Sequence, residues 1–134
     1  MISKRTGLFG LVVAAAVSGP AAVAEEEGDA HGVGEAAWLE HCTVCHGRDG
    51  TGNGPFAPML KTPPADLTRL AERNGGDFPA AKVRAVIDGR RIPIAHGTAE
   101  MPIWGKVWSD AGEREIGVRA RIIDVVAYLR TIQK

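Results

Sequence analysis

Cys42-Thr43-Val44-Cys45-His46 contains the chain's only two cysteines, three residues apart, with a histidine directly after the second. This is the attachment spacing of a c-type haem. Residues three and four apart on a helical turn share one face. Two thiols can therefore add to the vinyl groups of one porphyrin edge while His46 offers its imidazole to the iron. The same five residues also admit a thioredoxin-like dithiol or half of a zinc site. The dithiol reading lacks an accompanying βαβ pattern, and the zinc reading lacks a second pair of cysteines or histidines.

The first residues differ from the rest. Lys4 and Arg5 precede an apolar stretch from Leu8 to Val17, then Ser18-Gly19-Pro20 and Ala22-Val23-Ala24. This reads as a secretory signal peptide over residues 1–24, cleaved after Ala24. The apolar stretch is short for a bilayer and Gly19-Pro20 breaks its helix, so no stable membrane span is expected after cleavage. A single arginine beside Lys4 argues against twin-arginine export. The chain is thus expected to cross the membrane unfolded and to receive its cofactor in the periplasm.

Residues 25–134 make a mature chain of 110 residues, enough for one domain that buries roughly two-thirds of its unfolded surface. The precursor balances 16 basic against 16 acidic residues; without Lys4 and Arg5 the mature chain has 14 against 16, a net −2. With no basic stripe or interleaved aromatics, no nucleic-acid partner is expected. Two cysteines in an exported protein would ordinarily form a disulfide. A bridge enclosing only two residues would constrain almost nothing, which points to chemistry instead.

Residues 25–32 read as a flexible mature terminus with solvated charges, and the domain proper as 33–134. A helix is expected from about Val33 through Ala36, Ala37, Trp38 and Leu39 to His46-Gly47. Between Gly47 and Pro64, Gly47, Gly50, Gly52 and Gly54 are followed by Pro55, Pro58, Pro63 and Pro64, a density that dictates a loop. A long ordered loop in a small domain wraps something. A short helix is expected over about Ala65 to Arg73, capped at or just before Asp66, with Leu67, Leu70 and Ala71 apolar. A third follows Asp77-Phe78-Pro79, with Val83, Val86 and Ile87 at helical spacing up to Gly89. Arg90 to Lys106 reads as extended or turning. The last helix, from Glu113 or Ile116 to Ile132, places Ile122, Val125, Val126, Leu129 and Ile132 on one stripe. No alternating strand pattern occurs, so the fold class is all-α, about four short helices with glycine- and proline-rich loops around one site.

An iron held by His46 leaves its opposite face to another ligand. The candidates are Met59, Met101, His96 and, more remotely, His31 and His41. Met101 is the best placed: it lies far downstream in a loop, Pro102 fixes the backbone after it, and Trp104 can cover a ring. Met59 follows soon after the attachment site and suits a pocket wall. His96 is only five residues from Met101, so both can hardly reach one iron, and a structural role suits it better.

With these positions assembled, the chain resembles a class I c-type cytochrome, the small single-haem family of exported electron carriers. Gly34 and Trp38 stand eight and four residues before Cys42, and Tyr128 lies in the last helix; the family crosses its terminal helices at such a glycine and aromatics. A glycine within a helix costs up to ~1 kcal/mol against alanine and so calls for a packing reason. The segment Leu60 to Thr68 and the run His96-Gly97 to Met101-Pro102-Ile103-Trp104-Gly105 are similar to a bacterial branch. The resemblance implies a cytochrome c-like fold, one haem c attached through Cys42 and Cys45, and iron ligands His46 and Met101. It further implies that a proline carbonyl, that of Pro55 or alternatively Pro58, accepts the Nδ1 proton of His46. Trp104, Arg90 and Arg91 are candidates for the haem propionates, with solvated loop charges the blander account of the two arginines.

The implied function is periplasmic one-electron transfer between redox proteins, without catalysis, by a monomer or a subunit of a redox complex. Thioether ligation favours the ferrous form and raises the potential. After Arg48 only Lys61, Lys82, Lys106 and Lys134 occur, so the lysine ring by which some family members dock is absent. The alternatives are a dedicated haem subunit of a larger oxidoreductase, or a peroxidase or gas-binding protein with a labile Met101.

Overall fold

The computed structural model describes residues 30–90 and 100–134. The signal segment 1–24, most of the expected flexible terminus, and Arg91, His96 and Gly97 lie outside them. Five α-helices occur among the described residues, and no strands: α1 Ala30–His41, α2 Thr43–His46, α3 Ala80–Asp88, α4 Trp104–Asp110 and α5 Glu115–Thr131. The chain is all-α there. No helix among the described residues is long and apolar enough to cross a membrane.

The core is the crossing of α1 and α5. Trp38 and Ala37 of α1 pack with Val118, Ile122, Val125, Val126 and Leu129 of α5, joined by Ile87 of α3 and Trp108 of α4; all are buried. At ~1.5–3 kcal/mol for each large apolar side chain, this cluster is the main stabilising term. The expected α5 stripe is present, with Val118 added at its start and Ile132 only partly buried. Gly34 sits at the crossing. A Cβ there would lie 2.7 Å from the Asp124 carbonyl carbon and 3.1 Å from Tyr128 Cβ, so only glycine lets the backbones approach this closely. The rings of Trp38 and Tyr128 meet beside it, with centroids 6.0 Å apart.

Three local expectations are corrected. The first helix begins at Ala30 and does not run unbroken to His46: Cys42 forms a turn between α1 and α2. The Thr43 hydroxyl donates to the Leu39 carbonyl at 3.0 Å, taking the acceptor that its own amide would use in a continuous helix, an interaction that bends helices. The expected helix over Ala65–Arg73 is two 3₁₀ turns, Leu67–Arg69 and Glu72–Asn74. Asp66 caps the first, its Oδ1 accepting from the Thr68 amide at 2.9 Å and the Thr68 hydroxyl at 2.7 Å. The stretch before Lys106, expected to be extended, already contains the start of α4.

At the chain's end, Gln133 ties α5 to these turns: its Nε2 donates to the Leu67 carbonyl at 2.8 Å and its Oε1 accepts from the Ala71 amide at 3.0 Å. Opposite, Glu115 opens α5 with ion pairs to Arg90 at 2.6 Å and Arg119 at 2.8 Å. Hydrogen bonds from Arg90 and then Arg119 hold its carboxyl down to about 2, from an ordinary 4.5. A depressed carboxyl stabilises fully above its unfolded value, and that contribution fades as pH falls through the folded one. Melting temperature should therefore drop between pH 4.5 and 2 less steeply in Glu115→Gln than in the wild type. Parallel melting curves over that range would show that the pair does not contribute.

Candidate functional site

The glycine-proline loop closes over the carbonyl end of α2. The amides of Phe56, Gly54 and Gly52 donate to the carbonyls of Val44, Cys45 and His46 at 2.8, 3.1 and 2.8 Å. These are the acceptors a helix terminus leaves without partners. The loop thus wraps the motif itself. Gly54 permits this, since a Cβ would fall 2.5 Å from the Cys45 carbonyl carbon. Leu67 N–H donates to Gly50 O at 2.8 Å and fastens the far end.

Cys42 and Cys45 are both free and partly buried. Burial, and secondarily the neighbouring Cys45, pushes the Cys42 thiol up to about 12. A redox dithiol needs the opposite shift, toward a stable thiolate. His46 is lowered from its ordinary value, chiefly by burial and with partial opposition from the Ala65 backbone, so the imidazole is neutral at neutral pH. Its Nδ1 is buried, and no partner completes a hydrogen bond to it.

His46 opens onto a cleft of about 380 Å³, within the size range of small-molecule and cofactor sites. Leu67 and Leu70 of the 3₁₀ segment, Val83, Val86 and Ile87 of α3, and Leu129 of α5 make its apolar walls, and Met101 completes it. This explains why Val86 is 45% exposed despite lying on the expected apolar face of α3: that face borders the cleft instead of protein. Among the described residues, the polar lining beside His46 is Arg73, Asn74 and Lys82, with no carboxylate.

Of the residues singled out from sequence, His46 and Met101, 55 positions apart, meet on this one cleft, and Cys42 packs against the adjoining core. Others do not. No hydrogen bond joins His46 Nδ1 to the carbonyl of Pro55 or of Pro58. Trp104 is not on the cleft wall. As first residue of α4 it stacks on Trp108 one turn later, centroids 5.3 Å apart, and against His41 at 5.2 Å, since residues four apart share a helix face. Met59 ends a 3₁₀ turn that points outward, leaving it 74% exposed and off the wall. Arg90 is engaged by Asp88 and Glu115. His41 stays with the tryptophans, away from the cleft.

Arg73, Asn74 and Lys82 escaped the sequence reading. In sequence they are ordinary surface residues; only the facing of the 3₁₀ segment and α3 across the cleft gathers them. Among the described residues, no three His, Cys, Asp or Glu side chains cluster to hold a metal ion. No protein-family model, curated protein or solved structure matches this chain.

Proposed function

We propose that this chain is an exported one-electron carrier with a cytochrome c-like fold, holding one haem c through thioether bonds from Cys42 and Cys45, with His46 and Met101 as axial ligands. The observation that carries the reading is the convergence of a neutral imidazole and a thioether on one apolar cleft, in a chain whose two cysteines, one and four residues before that histidine, are free. A nitrogen and a soft sulfur donor are the set that suits iron poised at high potential. The remaining lining fits the same group. Leu67, Leu70, Val83, Val86, Ile87 and Leu129 suit a flat apolar macrocycle, and Arg73 and Lys82, both exposed, suit its carboxylates through charge-assisted hydrogen bonds at the rim.

When bound, haem supplies a ferrous–ferric couple. The chain's residues do the rest. His46 and Met101 would hold the iron between them and would leave it no place for water or small oxidants. The apolar walls would keep the surroundings dry, and the loop from Gly47 to Phe56 holds the motif's backbone through three amide-to-carbonyl hydrogen bonds. A carrier of this kind works among redox protein partners through a small, transient contact surface.

The test is a redox titration with spectra of the haem-loaded mature protein. The ferric wild type should show the far-red sulfur-to-iron charge-transfer band, and Met101→Ala should abolish it and lower the potential. A wild type without that band that turns over peroxide rapidly would replace the carrier reading with an enzymatic one.

A further inference from the structure

Glu100 immediately precedes Met101. Its Oε1 accepts from the Lys61 amide at 2.7 Å and its Oε2 from the Thr62 amide at 3.1 Å. Both oxygens of one carboxylate are thus occupied by consecutive backbone N–H groups, 38 and 39 residues earlier in the chain. Those amides belong to a stretch whose backbone is stiffened by Pro58, Pro63 and Pro64, where φ is fixed. The carboxylate therefore docks on a preformed pair of donors. Among the described residues, no other hydrogen bond joins residues 100–103 to the chain outside α4. On the C-terminal side Met101 is held by Pro102 and by the first turn of α4, where the Lys106 and Val107 amides donate to Ile103 at 2.9 Å. On the N-terminal side it is held by Glu100.

We infer that Glu100 is a positioning residue for Met101: it fastens the methionine loop to the glycine-proline loop, so that the thioether is presented to the cleft opposite His46. The inference rests on the reading of Met101 as an iron ligand. The lysine and threonine side chains play no part, since only their amides are used. The consequence is in how readily the sulfur yields its place to a competing ligand. Loss of the two charge-assisted hydrogen bonds frees the loop to swing outward, and the free energy lost reappears as easier displacement.

The experiment titrates ferric holoprotein with imidazole and follows loss of the far-red band. Glu100→Ala should bind imidazole about tenfold more tightly than the wild type, given the worth of charge-assisted hydrogen bonds at a surface. Glu100→Gln should fall between them, because it keeps one acceptor oxygen but turns an NH₂ toward an amide donor. Glu72→Gln, which removes a surface ion pair with Arg69 elsewhere on the chain, should leave the affinity unchanged. Equal imidazole affinities in the wild type and both Glu100 variants, with the band present, would overturn the role of Glu100 alone. Absence of the band in the wild type would overturn the ligand assignment beneath it.

Discussion

Replacing Cys42 and Cys45 together by alanine is expected to yield exported protein without covalently bound haem and with its melting temperature lowered by ~20 °C, or with no cooperative transition. At about 24 cal/mol per Å³, a closed, dry void of 380 Å³ would cost on the order of 9 kcal/mol. That is comparable to the whole stability of a small domain. The cleft is partly open, so water offsets some of this, but its walls are apolar and gain little from hydration. Among the described residues, its apolar lining, Leu70, Val83 and Val86 among it, is left partly open on the cleft side, where an occupant would supply contacts. On the proposed reading, covalent attachment would keep that occupant in place at any dilution, whereas a haem held only by His46 and Met101 would exchange. The measurement is the intact mass of wild type and double variant after export in a cell able to attach haem, with thermal melts of each. A wild-type mass equal to that of the bare polypeptide would remove the haem reading altogether.

Gly34→Ala should lower stability by about 2 kcal/mol, and the melting temperature by about 10 °C, although alanine is the better helix former. Helix propensity alone would raise stability by up to ~1 kcal/mol, so the sign of the change separates the two effects. The added methyl would collide with the Asp124 carbonyl, a backbone group held inside α5, which cannot rotate aside as a side chain would. Relief requires α1 and α5 to part, and parting them loosens Trp38, Val125 and Leu129, which are at most 2% exposed. A melting temperature at or above the wild type's would mean that the crossing has slack, and the close approach would then carry no energetic weight.

Much of this architecture was legible from periodicity. The stripe of α5, the apolar face of α3 and the helix leading into Cys42 all have three- and four-residue spacings that tertiary packing had only to use. What was not legible has local causes. The start of α4 is obscured by Pro102 and Gly105, residues that signal a loop in most settings; here the tryptophan stack and the Ser109 hydroxyl, donating to Gly105 O at 2.8 Å, hold the turn. The stretch over Leu67–Asn74 shows helical spacing, yet Asp66 draws the Thr68 amide and hydroxyl into a tighter turn. At the site, His46 and Met101 could be named in advance because their chemistry is scarce in this chain. Arg73 and Lys82 could not, because a surface cation has no spacing that distinguishes a cleft rim from open solvent.

The way the glycine-proline loop seals the end of α2 bears on the order in which the chain can organise itself. Its three amide-to-carbonyl contacts join residues six to twelve positions apart, whereas Trp38 and Tyr128 meet across 90. Closing the shorter loops costs about 2 kcal/mol less entropy than closing the longer one, and contacts of short sequence range form without waiting for the rest. The stretch from Cys42 to Phe56 is therefore the part of the molecule best able to take shape on its own. Both thiols and the imidazole would be arrayed on a semi-ordered turn while the two ends of the chain are still apart, accessible from outside before α1 and α5 close the core.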